Sequence, residues 1–156
     1  MTDHSSSAAG SITLVVRRLI RASPERLFEA WTEPTQLRVW WGPEGVRCAA
    51  AEVDLRVGGR YRIGNTFPDG RVIVLVGEFE VIERPKRLTY TWRVEGSPAA
   101  SERVTVRFEP RDGATEVIVT HERIPDETLR DQHRRGWEGC LDGLARFFGG
   151  LSETRA

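Results

Sequence analysis

The last helix-forming stretch, Asp126 to Leu151, sets the pattern for the whole chain. On a 3.6-residue period, Leu129, His133, Trp137, Leu141, Leu144 and Phe148 share one stripe, with Cys140 and Phe147 beside it. Glu127, Arg130, Asp131, Arg134, Arg135, Glu138, Asp142 and Arg146 fall on the opposite face. Asp126 after Pro125 is a good N-cap, and Gly149-Gly150 supply the stop. The stripe carries a polar tip, His133, one turn from Trp137.

Before this helix the period is two. Ile12, Leu14 and Val16 begin a first strand over Ile12–Ile20. Ser23-Pro24-Glu25 then starts a short helix with Leu27, Phe28 and Trp31 inward. Thr32-Glu33-Pro34 breaks it and starts a second, with Leu37, Trp40 and Trp41 inward, ended by Gly42-Pro43. Six strands are expected from there to Ile124. They are Val46–Leu55, one through Tyr61 and Ile63, Val72–Ile82, one through Leu88, Tyr90, Trp92 and Val94, one through Val104, Val106 and Phe108, and one through Val117, Val119 and His121. Pro68-Asp69-Gly70 and Arg111-Asp112-Gly113 are turns between them, and Gly77 reads as a bulge mark. The order β-αα-β6-α predicts an α+β helix-grip fold, a curved antiparallel sheet of about seven strands around the final helix. Residues 11–153 form one domain behind a polar, disordered tail of residues 1–10. Curvature of this kind leaves room for an internal pocket.

Composition narrows the function classes. Lys+Arg and Asp+Glu each total 23, so the net charge is zero and a nucleic-acid backbone binder is not expected. No apolar run approaches the ~20 residues of a membrane span, and the first ten residues do not form a secretory signal. Cys48 and Cys140 read as small buried hydrophobes in a reducing compartment, which points to the cytoplasm.

Ala22-Ser23-Pro24 with Trp31-Thr32, Trp40-Trp41-Gly42-Pro43, Asp54 to Tyr61 (DLRVGGRY), Pro68-Asp69-Gly70, Leu88 to Trp92 (LTYTW) and His133-x-x-Gly136-Trp137 carry a resemblance. Together, from about Ile12 to Leu151, they resemble the SRPBCC (START/birch-pollen-allergen-like) superfamily. Within it the chain is similar to the group named for the C-terminal domain of the activator of the 90-kDa heat-shock protein ATPase. The resemblance implies the helix-grip fold, and three kinds of activity: carriage of a hydrophobic ligand, polyketide cyclase or aromatase chemistry, or a co-chaperone role. The eukaryotic activator carries a further N-terminal domain, and only a ten-residue tail precedes the first strand here.

Trp41, Tyr61, Tyr90, Trp92, His121, His133, Trp137 and Leu141 are the candidate ligand-binding residues, aromatic walls with a few polar groups. The alternative is that they fill the core. Shrinking Trp92 or Trp137 is expected to remove binding with little loss of fold. His121 and His133 are weak catalytic candidates, being the domain's titratable groups near neutral pH. No nucleophile motif is present, and two isolated histidines make no metal set, so neither metal nor cofactor is expected. Gly58-Gly59 precedes a strand and reads as a tight turn, not a phosphate loop. The arginines at 56, 60, 62, 71, 93, 103 and 107 read as an ion-paired surface. The leading expectation is non-enzymatic binding of a small hydrophobic or amphipathic molecule. A chaperone or other protein partner is the alternative, a cyclase-like enzyme the third reading, and homodimer formation is left open.

Overall fold

The computed structural model describes residues 12–43 and 45–149. The predicted tail, Gly150 and Leu151 lie outside the described residues. Seven strands form one antiparallel sheet in the order β1-β7-β6-β5-β4-β3-β2. They are β1 (Ile12–Ile20), β2 (Arg47–Val53), β3 (Arg60–Thr66), β4 (Val72–Glu83), β5 (Arg87–Val94), β6 (Glu102–Arg111) and β7 (Ala114–Ile124). Three helices complete the chain: α1 (Pro24–Thr32), α2 (Pro34–Trp40) and α3 (Glu127–Phe147).

Local chemistry explains the helix boundaries. Ser23 accepts a hydrogen bond from the Arg26 N–H, and Asp126 accepts one from Leu129, so α1 and α3 are both capped. Pro34 directly follows Glu33, which closes α1 and opens α2. Helix α3 stops at Phe147, with Gly149 at φ 72°, the left-handed conformation that glycine adopts without strain. Its buried residues are Trp137, Cys140, Leu141, Leu144 and Ala145, all in the second half. Gly143 lets that half approach the end of α2, since a Cβ there would lie 2.6 Å from the Trp40 carbonyl oxygen. The first half, with Leu129 and His133 only partly buried, stands off from the sheet.

Strand β2 is shorter than its expected span of Val46–Leu55. Val46 turns back to bond Pro43, while Asp54 and Arg56 belong to the tight turn that Gly58-Gly59 completes. On β4, Leu75 and Phe79 point inward. The irregularity of that strand falls between Phe79 and Val81, which corrects the reading of Gly77 as the bulge. Gly77 is instead a point of close approach between strands. Among the expected surface arginines, Arg56, Arg62, Arg71 and Arg103 pair with Asp54, Glu95, Asp69 and Glu80.

Candidate functional site

Strand alternation builds the site's floor. Tyr90 and Trp92 face inward on β5, and the register sets them opposite Val104 and Glu102 on β6. Val104 in turn sits opposite His121 on β7. Counting back by twos from Phe108, Val106 and Val104 reaches Glu102, so a carboxylate ends the inward stripe of β6. The same count from Tyr61 and Ile63 on β3 reaches Asn65, which is buried. Both were missing from the sequence-derived candidates, and both were one period beyond residues that were included.

Where the first half of α3 stands off, a solvent-open cleft of about 630 Å³ lies between it and β3–β5. Leu129, Gln132, His133, Gly136, Trp137 and Cys140 form its helical wall, a succession with the spacing of one helix face. Asn65, Ile73, Leu75 and Trp92 line the sheet side, and Trp41 and Pro43 close one end. The Asn65 Oδ1 is buried and has no hydrogen-bond partner among the described residues. Arg71 and Arg135 line the cleft as well, and among the described residues its lining holds no carboxylate.

Four candidates, Trp41, Trp92, His133 and Trp137, therefore line one cleft. Tyr61 and Tyr90 do not reach it. They surround, with Phe79 and others, a remnant of about 20 Å³, and Tyr61 donates to the Thr91 carbonyl at 2.6 Å. Tyr90 accepts from the Trp31 indole at 3.2 Å, and burial pushes its hydroxyl above the usual range. Leu141 is wholly buried in the core. His121 is also fully buried, behind His133.

The two histidines, isolated along the sequence, meet in the fold. Their rings stack with centroids 4.3 Å apart, and both Nε2 atoms meet the same oxygen, Glu102 Oε1, at 2.7 Å from His121 and 2.9 Å from His133. The Trp137 indole donates to His121 Nδ1 at 3.0 Å. An indole N–H is only a donor, so His121 Nδ1 is an acceptor, and its Nε2 carries the proton and donates to Glu102. Burial holds the His121 pKa below the ordinary imidazole value, although Glu102 opposes the shift. Burial raises the Glu102 pKa, but the hydrogen bonds from His121 and then His133 outweigh it and leave the carboxyl below its usual range.

Glu102, His121 and His133 offer ligand atoms within 4.8 Å of one another, so a metal must be considered. A cation on His121 Nε2 would move that ring's proton to Nδ1, directly against the Trp137 donor. The donor set fits a hydrogen-bonded network and not a metal shell.

Both low pKa values have the same consequence in acid. As pH falls below 6.5, the unfolded-state value for histidine, the unfolded chain binds a proton that folded His121 refuses. Below 4.5 the same holds for Glu102. Stability is expected to be retained above pH 6.5 and to fall in acid, by up to about 1.4 kcal/mol per pH unit from His121 alone. Urea midpoints at pH 7.5, 6 and 5 check this. His121→Gln should flatten the upper step, and an unchanged slope in that variant would contradict the assignment.

A curved antiparallel sheet closed by a long C-terminal helix, with an aromatic cleft between them, is a helix-grip domain of the SRPBCC superfamily. More narrowly, the chain belongs to the family of Activator of Hsp90 ATPase homolog 1-like proteins, whose profile matches residues 21–149. It is similar to a solved protein of Chromobacterium violaceum at 28% identity, covering 87% of this chain and 96% of that one with a TM-score of 0.80. The AHSA1 protein of Silicibacter pomeroyi is 26% identical over 86% of this chain and 96% of its own, with a TM-score of 0.78. No curated protein sequence matches the chain. No helix among the described residues is long and apolar enough to cross a membrane.

Proposed function

We propose that this domain binds a small amphipathic molecule in the cleft between the sheet and the first half of α3. The observation that carries the reading is an unpartnered, buried Asn65 Oδ1 in a largely apolar cleft of about 630 Å³. That volume lies within the range of small-molecule sites, roughly 300–1,000 Å³. A buried acceptor left unpaired costs about 1–3 kcal/mol, and an N–H or O–H on a ligand would recover it. Trp41, Trp92 and Trp137 would hold the apolar body, while Arg135 leaves the mouth favourable to an acidic or polar end. The free, buried Cys48 and Cys140 suit the reducing cytoplasm as its setting.

Two measurements test this. Native mass spectrometry of protein purified from its own host is expected to show a stoichiometric small molecule that denaturation releases. Asn65→Val is expected to raise the stability of the empty protein by about 1–2 kcal/mol, by removing the unpaired acceptor, while weakening ligand binding. A clean apo mass with no thermal shift across a panel of lipids and aromatic acids, or an Asn65→Val variant of lower stability and unchanged binding, contradicts the reading. The family's description supplies a second reading, a chaperone-ATPase partner. On that reading, stimulation of a 90-kDa chaperone's ATPase would respond to changes on the outer face and not to Asn65.

A further inference from the structure

The shared carboxylate fixes more than His121. Ionised Glu102 can only accept, so the Nε2 of His133, 2.9 Å away, must be the donor. Neutral His133 therefore keeps its lone pair on Nδ1. No described residue bonds that atom, and it is not among the buried unpartnered atoms, a class that holds Asn65 Oδ1 alone among the described residues. It is thus accessible, on a side chain that lines the cleft. His121 has the same carboxylate but no free nitrogen, because Trp137 occupies its Nδ1.

We propose that His133 is a general base positioned by Glu102, and that the cleft catalyses cofactor-free proton abstraction from an apolar carbon acid such as an enolisable ketone. This rests on the reading that the cleft admits a ligand. A proton arriving at His133 Nδ1 makes an imidazolium whose Nε2–H already points at the Glu102 carboxylate, the arrangement by which a carboxylate supports a catalytic histidine. Trp92, with its ring 6.0 Å from that of His133, packs beside this pair, whose side chains are only 16% and 11% exposed, so water screens it only in part. Among the described residues, the charged and titratable groups that share the cluster or the cleft with His133 are Glu102 and His121 on the sheet, Arg71 from the β3–β4 turn, and Arg135 and Cys140 on its own helix. His121 remains neutral against the Trp137 donor, so the stacked ring adds no opposing charge. In an enolisation, the C–H electron pair moves into the new C=C bond and the carbonyl π pair moves onto oxygen. The proton on His133 then returns to another carbon or to water.

The test uses 5-nitrobenzisoxazole, a flat apolar carbon acid. The base takes the ring C–H proton, that electron pair forms the nitrile, and the N–O bond breaks with its pair leaving on the phenolate oxygen. Quenching of tryptophan fluorescence reports binding separately, since Trp41, Trp92 and Trp137 line the cleft. Saturable turnover is expected. His133→Gln should lower kcat by about 100-fold or more with quenching unchanged. Glu102→Gln should lower kcat about tenfold with KM unchanged, because the carboxylate that supports the imidazolium is gone. That split between kcat and KM separates positioning from a merely structural role, and it keeps the test decisive if His133→Gln fails to fold. Quenching without turnover above free imidazole, or equal turnover in His133→Gln, overturns the base and leaves the binding site standing. Absence of quenching overturns both.

Discussion

Gly77→Ala is expected to destabilise the domain by about 3 kcal/mol or more, one of the largest effects available from a single methyl group here. A Cβ at this position would lie 1.9 Å from the Thr91 carbonyl oxygen and 2.6 Å from Tyr61 Cε2. Neither neighbour can give way cheaply. The Thr91 oxygen is backbone on β5 and accepts from the Tyr61 hydroxyl, and the Thr91 side chain accepts from the Glu78 N–H. Tyr61 is paired directly across from Gly77 on β3, so its ring covers the space that the missing side chain leaves. Relief of the clash would break the Tyr61–Thr91 hydrogen bond and separate β4 from β5. Gly136→Ala makes the control: nothing lies within 4 Å of its Cβ, and a helical alanine is expected to add up to about 1 kcal/mol. Urea unfolding of both variants checks the pair. A Gly77→Ala midpoint equal to that of the parent would contradict the close packing of β3, β4 and β5.

The fold was legible because each element obeys its own period. Ile12, Leu14 and Val16 alternate, and Trp137, Leu141 and Leu144 recur by helical turns, so both faces could be assigned without knowing what they touch. The site was legible in three tryptophans and His133. Asn65 and Glu102 occupy inward positions of their strands, where a polar residue looks like the end of an apolar stripe. Only the completed sheet shows that Glu102 lies beneath two histidines separated from it by 19 and 31 residues. Likewise, the helix's apolar stripe runs through both halves, yet only the second half is seated. Gly143 allows close approach to α2 there, while the first half stands away and leaves the cleft. Periodicity specifies which face turns inward. How far a helix stands off is set by side-chain volumes across the interface, which no single stretch of sequence contains.

Trp137→Ala is expected to lower stability by about 3–5 kcal/mol, against the sequence-based expectation that shrinking this residue spares the fold. The five tryptophans of the chain form one connected cluster with Trp137 near its centre. Its ring is stacked on Trp31 at 6.1 Å and lies 5.6 Å from Trp41 and 5.4 Å from Trp92. Only 3% of the residue is exposed, so its removal leaves a cavity that these neighbours cannot all close. Trp137→Phe separates packing from polarity. It keeps most of the ring contact but takes the donor from His121 Nδ1, and the orphaned acceptor is expected to cost about 1–3 kcal/mol. It also frees that nitrogen to take a proton, so the acid-side loss of stability below pH 6.5 should become shallower in this variant than in the parent. Equal acid slopes would show that the Trp137 donor does not set the state of His121. Because Trp137 is both wall and core, weaker ligand binding in its alanine variant would mix lost contact with lost structure. Trp92 is only partly buried and lines the same cleft, so its replacement is the one from which a loss of binding can be attributed to the ligand site.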